Sequence, residues 1–192
     1  TPSVTPTPTP TPPVGTSHVV INEIAWAGTA ANAFDEWIEL FNAGDGPADL
    51  SGWSLQTTAA KLIDLHGIIQ PGEYFLIERT DDNTVTGEGM TANVFGSFGG
   101  SGLSNSFESL WLQDAAGANI DEVAQCQGPN GVAKWCGGFA SPNHTTMERK
   151  SPLVAGSDLA NWASNSWLIT TGLDALAAPL HGTPKFKNSV IP

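Results

Sequence analysis

The sequence has very little positive charge. Lys and Arg together number 7 among 192 residues, against 19 Asp and Glu, and the net charge at pH 7 is −12. Proteins that bind nucleic acids need Lys and Arg to displace counterions from the phosphates. Electrostatic docking on an anionic membrane needs the same residues. The composition therefore excludes nucleic acid as a partner and argues against binding to a membrane surface.

Long apolar runs are also missing. A membrane-spanning helix needs roughly 18 consecutive apolar residues, and no stretch of the sequence approaches this length, so we expect no membrane insertion. The chain begins at Thr1, without an initiator Met and without a signal peptide. Processed, exported proteins begin in this way. We therefore expect an extracellular or cell-surface location.

Patterns typical of catalysis are missing as well. Ser101 lies in the sequence GGSGL, which lacks the spacing of a nucleophile elbow. There is no phosphate-binding loop and no dinucleotide fingerprint. The histidines are scattered along the chain, at His18, His66, His144 and His181. We expect no enzyme activity and no cofactor.

The chain has 2 cysteines, Cys126 and Cys136. Two free, buried thiols are one interpretation and a metal site is another, although a Cys pair at this spacing without a nearby His lacks a zinc pattern. Export would place the pair in an oxidising compartment. Residues 127–131 (Gln-Gly-Pro-Asn-Gly) form turns readily and bring the two ends together. We expect a disulfide that stabilises the fold by roughly 2–3 kcal/mol.

The chain opens with a low-complexity segment, TPSVTPTPTPTPP at residues 1–13. Alternating Pro fixes φ and removes backbone donors, which predicts an extended polyproline II conformation. We interpret residues 1–15 as an arm and residues 16–192 as one domain. The arm is either a stiff spacer or an assembly element whose contact residues are Thr1, Pro2, Val4, Pro6, Pro8, Pro10, Pro12, Pro13 and Val14. Its threonines are candidate O-glycosylation sites, namely Thr5, Thr7, Thr9 and Thr11.

From His18 onward the sequence has the pattern of short strands. Residues 36–41 alternate with a period of two, which places Ile38 on one face of a strand and Trp37 on the other. A long loop is expected in the Gly- and Ser-rich residues 95–106. Strands this short, with turns between them, predict an all-β sandwich. The predicted strands are residues 19–26, 36–41, 53–56, 60–65, 74–78, 109–113, 119–123 and 146–150.

Several blocks of the sequence follow the order of a known family. They are VINEI (20–24), EWIELFN (36–42), DLSGWSL (49–55), PGEYFLI (71–77), LSN (103–105), MER (147–149) and GTP (182–184). On these blocks the sequence resembles the lamin tail domain family over residues 18–188. The resemblance implies an immunoglobulin-like β-sandwich, here with an extended Thr/Pro-rich N-terminal arm. It implies no shared catalytic site, and it implies export, since bacterial members are typically exported.

Acidic and amide side chains gather in the first two strands. The simplest interpretation is a structural polar network of Asn22, Glu23, Glu36 and Glu39, with Arg149 as the ion-pair partner of one carboxylate. The alternative is an acid/base pair or a calcium cage formed by Glu23, Asp35, Glu36 and Glu39.

A second polar group, Asn42, Asp45 and Asp49, lies on a predicted turn. Oxygen ligands on a loop can hold Ca²⁺, which makes these three residues weak calcium candidates. Their spacing matches no EF-hand, and Asp and Asn are ordinary turn formers.

The sequence has 7 Trp. A Trp on a strand of a sandwich is usually part of the core, but we expect Trp135, beside Cys136 in a Gly-rich loop, and Trp167 to be exposed. An exposed indole can stack on a sugar or anchor a protein partner.

These features predict an extracellular structural subunit. In this hypothesis the arm of one copy lies in an aromatic groove of the next, and such head-to-tail contacts build a filament or surface layer. The alternative is a surface-displayed module on a Thr-Pro stalk that binds a glycan or a surface protein.

Overall fold

The computed structural model describes residues 15–123 and 125–191. The assembly residues predicted between Thr1 and Val14, and the candidate glycosylation sites Thr5, Thr7, Thr9 and Thr11, lie outside the described residues. Both helical segments of the described part are short 3-10 turns, at Pro129–Gly131 and Leu159–Asn161. No helix in this part of the chain is long and apolar enough to cross a membrane.

The described residues form short strands, β1 to β14. In chain order they are β1 Val19–Ala25, β2 Trp37–Asn42, β3 Ala48–Asp49, β4 Ser54–Thr57, β5 Lys61–Asp64, β6 Ile68–Ile69, β7 Tyr74–Arg79, β8 Val94–Gly96, β9 Leu110–Gln113, β10 Asn119–Glu122, β11 Cys126–Gln127, β12 Ala133–Lys134, β13 Met147–Arg149 and β14 Trp162–Ser164. All eight predicted strands are confirmed to within about two residues. The predicted loop 95–106 begins inside β8, which the sequence analysis missed.

Two larger sheets make the sandwich. The first has the order β14-β13-β1-β2-β7-β8, and the second has the order β10-β9-β4-β5. Neighbouring strands are antiparallel, except that β8 runs parallel to β7. Two small ribbons, β3–β6 and β11–β12, complete the described strands. This arrangement confirms the predicted all-β, immunoglobulin-like sandwich.

The alternation of β2 divides its side chains between two buried environments. Ile38 and Leu40 face the core between the sheets, where they pack with Leu55 and Leu112 of the second sheet. Trp37 belongs to a separate apolar cluster, so the outer face of the six-stranded sheet is also covered. The cover consists of irregular backbone from residues 165–191, which bonds to the carboxylates described below.

The sandwich has two distinct ends. Val19 pairs with Asn42 at the end where the chain enters, and Ala25 pairs with Trp37 at the other. We call these the entry end and the far end. The seven residues of β1 separate them by roughly 20 Å.

The arm joins the domain at the entry end. Gly15 lies against the backbone of Asp45 and Gly46, where a side chain would have no room. The Thr16 amide donates to the Asp45 carboxylate over 2.7 Å, and the Asp45 amide donates to the Thr16 carbonyl over 3.1 Å. The direction in which the chain enters the domain is therefore fixed.

Candidate functional site

The far end carries a run of exposed apolar side chains. Trp167, Leu168 and Ile169 are 49%, 90% and 55% exposed, and Phe139 is 57% exposed. We call these four residues the apolar end surface. The prediction that Trp167 is exposed is confirmed. Exposed apolar residues that are contiguous in this way mark an interaction surface more often than isolated ones do.

Trp167 makes several contacts within the domain although it is half exposed. Its indole N–H donates to the Thr145 hydroxyl over 3.0 Å, and its ring stacks on the imidazole of His181 with centroids 5.0 Å apart. Its backbone amide donates to the Asn165 side chain. The backbone φ is +63°, a left-handed conformation that is uncommon for a bulky residue. Strain of this kind is retained where the surroundings enforce it, often at functional sites.

Phe139 lies on the other side of the same Thr145. The two residues exchange backbone hydrogen bonds of 2.9 Å, and Thr145 also pairs with His181 in a parallel bridge. Buried Thr145 is therefore bonded both to the backbone of Phe139 and to the indole of Trp167. The sequence did not single out Phe139, because its role depends on pairings with residues far along the chain.

A groove of about 280 Å³ opens beside Phe139. Its polar lining includes Asn105, Ser106 and Lys134, and its aromatic lining includes Trp26 and Trp135. The rings of these two tryptophans stack with centroids 6.2 Å apart. The groove thus combines aromatic and polar side chains at the far end.

The prediction that Trp135 is exposed is wrong. It is only 4% exposed, its indole N–H donates to the Ser104 carbonyl over 2.7 Å, and the ring of Phe107 packs edge-on against it. Gly and Cys neighbours suggested a surface loop, but the ribbon β11–β12 folds this residue back onto Trp26.

The predicted disulfide between Cys126 and Cys136 is present. It joins the start of β11 to the residue after Trp135, with Cα atoms 5.0 Å apart. Because Trp135 and Cys136 both line the groove, the disulfide fixes one of its walls.

A row of three carboxyl groups crosses the outer face of the six-stranded sheet. Glu39 on β2, Glu23 on β1 and Glu148 on β13 are directly paired across neighbouring strands, and all three are fully buried. The register of β1 shifts at Asn22. This bulge turns Asn22 and Glu23, although consecutive, towards the same face.

The three carboxyl groups form hydrogen bonds with the segment that covers them, residues 165–191. Glu23 accepts from the Thr146 hydroxyl and from the amide of Thr183, and Glu148 accepts from the side chains of Asn165 and Ser189.

Glu39 completes the row at its other end. It accepts from the side chain of Asn22 and from the amide of Lys185. Asn22 bonds in turn to Asn188, whose side chain donates to the carbonyl of Arg149. Hydrogen bonds to these side chains, rather than strand pairing, thus attach the irregular segment 165–191 to the six-stranded sheet.

Burial changes the pKa values of Glu23 and Glu39. It raises the pKa of Glu23 well above its ordinary value, and the nearby Glu148 and Glu39 carboxyls add to this increase. Burial likewise raises the pKa of Glu39 to about 8. Protons on these groups relieve the repulsion that like charges on paired strands would cause.

Arg149 does not pair with any of the carboxylates predicted for it. Its guanidinium forms a buried ion pair with Asp121 on β10 and donates to the Ile21 carbonyl over 3.0 Å. The Ile21 amide donates to the same Asp121 carboxylate over 2.9 Å. Arg149 pairs with Asp121 because the strands β1, β10 and β13 meet where the two sheets approach each other.

Glu36 also lies apart from the predicted network. It forms a salt bridge of 3.1 Å with Arg79 and accepts from the Leu103 amide over 2.8 Å. Burial raises its pKa to about 7, although Arg79 and the Leu103 amide act in the opposite direction. The predicted network therefore divides into three sites, with Asn22, Glu23 and Glu39 in one of them.

Glu78 on β7 is a buried carboxyl that the sequence analysis missed. It pairs with Trp37 across the strands, and its Oε2 accepts from the Thr84 amide over 3.0 Å. Burial raises its pKa to about 8. Within the described residues neither Glu78 Oε1 nor Trp37 Nε1 has a hydrogen-bond partner.

The calcium candidates have local structural roles. Asn42 is fully buried and bonds to the carbonyls of Gly46 and Ile69. Asp45 binds the Thr16 amide and Asp49 binds the Ser51 amide. Among residues 15–123 and 125–191, no three His, Cys, Asp or Glu side chains come together in a way that could hold a metal ion.

The two kinds of site differ in what they can do chemically. The carboxyls of Glu23, Glu39, Glu78 and Glu148 have no exposed surface, so a substrate cannot reach them in the folded chain. The apolar end surface is exposed, and the groove beside it opens to solvent. The geometry at the far end is suited to binding.

Comparison with known proteins agrees with this description. A family model described as the Lamin Tail Domain matches residues 12–126. This match ends at Cys126, whereas the resemblance in the sequence blocks extends to Asn188. None of the curated proteins matches the chain.

Proposed function

Since the chain belongs to the lamin tail domain family, whose members are non-enzymatic immunoglobulin-like domains, we propose that it is an extracellular structural module that assembles with its own copies. The arm of one copy binds the far end of the next. The observation that carries this proposal is that the two ends of the domain differ. The arm joins at the entry end beside Asp45, and the apolar end surface lies at the far end.

A subunit whose two ends differ favours head-to-tail assembly that does not close. A contact between two different surfaces repeats without closing, unless the rotation between neighbours forms a ring. The arm and the far end are two such surfaces, about 20 Å apart along β1. Repeated contacts would therefore give a filament.

An exported location is consistent with the covalent structure. The Cys126–Cys136 disulfide is stable in oxidising compartments and is rare in reducing ones. The net charge of −12 favours solubility of the single subunit.

The same far end supports a second candidate function, that of a displayed binding module on a Thr-Pro stalk. One face of the Trp167 ring is stacked on His181, and the ring is half exposed. A fixed, exposed indole of this kind suits the apolar face of a sugar. The aliphatic neighbours Leu168 and Ile169 favour a protein partner instead.

Negative-stain electron microscopy tests the proposal. The whole chain is compared with a variant lacking residues 1–14 and with a variant in which a Gly-Ser segment of equal length replaces them. Filaments in the first sample alone are the expected result. Dispersed monomers in all three samples would contradict assembly and favour the displayed binding module, to be examined next on a glycan array.

A further inference from the structure

We infer that the groove beside Phe139 receives the Thr-Pro segment of the next copy. This inference depends on the proposed self-assembly and specifies the surface used. The groove lies between Phe139 and the loop of Asn105 and Ser106, with Lys134 along one side. Thr145, which pairs with Phe139 through the backbone, accepts from the indole of Trp167 and so links the groove to the rest of the apolar end surface.

The polar lining of the groove complements the arm. Six of residues 1–13 are Pro, so this segment has many carbonyl acceptors and few amide donors. Such a segment is best bound by side chains that donate hydrogen bonds. The side chains of Asn105, Ser106 and Lys134 can all do so, and all three residues are exposed.

The aromatic lining suits proline rings. The indole N–H groups of Trp26, Trp135 and Trp167 already donate within the domain, to Gly137, Ser104 and Thr145. Trp26 and Trp135 are buried at the base of the groove, so the exposed rings available to a partner are those of Phe139 and Trp167. Aromatic rings that line a groove are the usual receptors for a polyproline II segment, whose preset conformation lowers the entropy lost on binding.

Charge and reach both allow this contact. Residues 1–15 contain no charged side chain, so the arm approaches an acidic domain without repulsion. At about 3.1 Å per residue, 14 residues in polyproline II conformation extend roughly 40 Å. That length is enough to leave the entry end of one copy and lie along the groove of another.

The test uses a domain lacking residues 1–14 and a synthetic peptide, TPTPTPTPP. The core described above consists of residues from Val19 onward, so the shortened domain keeps its packing. Because Trp135 lines the groove, tryptophan fluorescence reports binding directly. We expect saturable binding of the peptide, and no binding of a Gly-Ser peptide of equal length.

Substitutions identify the surface. Phe139→Ala is expected to weaken peptide binding at least tenfold. Phe95→Ala is the control, because Phe95 has a similar exposure of 54%. Phe95 lies on β8, and β8 and β14 are the two opposite edges of the six-stranded sheet. This variant is expected to leave binding unchanged. Far-ultraviolet circular dichroism checks that both variants are folded.

The outcomes separate this inference from the proposed function. If Phe139→Ala and Phe95→Ala bind the peptide as the parent does while the whole chain still forms filaments, assembly stands and the groove is the wrong surface. If the peptide does not bind and the whole chain stays monomeric, both are wrong. Binding of a neutral oligosaccharide in place of the peptide, abolished by Phe139→Ala, would also overturn the inference.

Discussion

Glu78 makes the stability of this domain depend on pH. Its side chain has no exposed surface, and Oε2 accepts from the Thr84 amide. Burial raises its pKa from the ordinary 4.5 to about 8. The folded chain therefore keeps a proton at neutral pH that the unfolded chain releases.

The sign of the effect follows from this difference. A group whose pKa is higher in the folded chain contributes stability that is fully present below pH 4.5 and is lost as the pH rises through about 8. Each pKa difference of one corresponds to about 1.4 kcal/mol. The pKa of Glu78 changes from 4.5 to about 8, so the contribution at stake is on the order of 5 kcal/mol. The raised pKa values of Glu23, Glu39 and Glu36 act in the same direction.

Glu78→Gln isolates the contribution of this carboxyl. Glutamine keeps an oxygen acceptor for the Thr84 amide and never ionises, so the variant no longer loses stability as the pH rises. We expect it to be more stable than the parent by a few kcal/mol at pH 8, with the difference disappearing near pH 4.5. Glu88→Gln, at an exposed position in the loop between β7 and β8, is the matched control.

Urea unfolding, followed by tryptophan fluorescence at pH 5, 6, 7 and 8, measures the effect. The parent should have its highest midpoint at pH 5 and its lowest at pH 8, with a shallower dependence in Glu78→Gln. Equal pH dependence in the parent and Glu78→Gln would refute the reasoning, as would a parent that is more stable at pH 8 than at pH 5.

Two further predictions concern stability. Asp121→Asn leaves the buried guanidinium of Arg149 without a charged partner and should cost about 3 kcal/mol in urea unfolding, whereas Asp64→Asn, at an exposed salt bridge, should cost less than about 1 kcal/mol. Equal losses would show that burial does not matter here. Replacement of Cys126 and Cys136 by Ser should lower the free energy of unfolding by about 2–3 kcal/mol, and a reducing agent should then have no further effect on the variant; an unchanged unfolding midpoint would contradict a stabilising disulfide.

The sequence predicts the sandwich well because its longer strands carry their own signal. Residues of β2 alternate with a period of two between the two faces of the strand, and turn-forming residues bound most of the strands. Strands of two or three residues, such as β3 and β8, carry no such period. They exist because a neighbouring strand supplies their hydrogen bonds, which no local pattern can predict.

The polar sites are predicted less completely, for a related reason. That Asn22, Glu23 and Glu39 act together follows from the neighbouring strands that carry them. The partner of Arg149 depends on how β10 of the second sheet approaches β1 and β13, so Asp121 was not identified. The burial of Trp135 depends on the ribbon that folds it onto Trp26.

The central claim is that two different surfaces of the chain bind each other, and a mixing experiment tests it most directly. One variant lacks residues 1–14 and keeps the groove, while the other keeps the arm and carries Phe139→Ala and Trp167→Ala. Each should sediment alone as a monomer in analytical ultracentrifugation. The mixture should give a one-to-one complex that does not grow, because only one arm and one groove are intact. Two monomer populations that do not interact in the mixture, beside filaments of the parent, would contradict head-to-tail assembly through these surfaces.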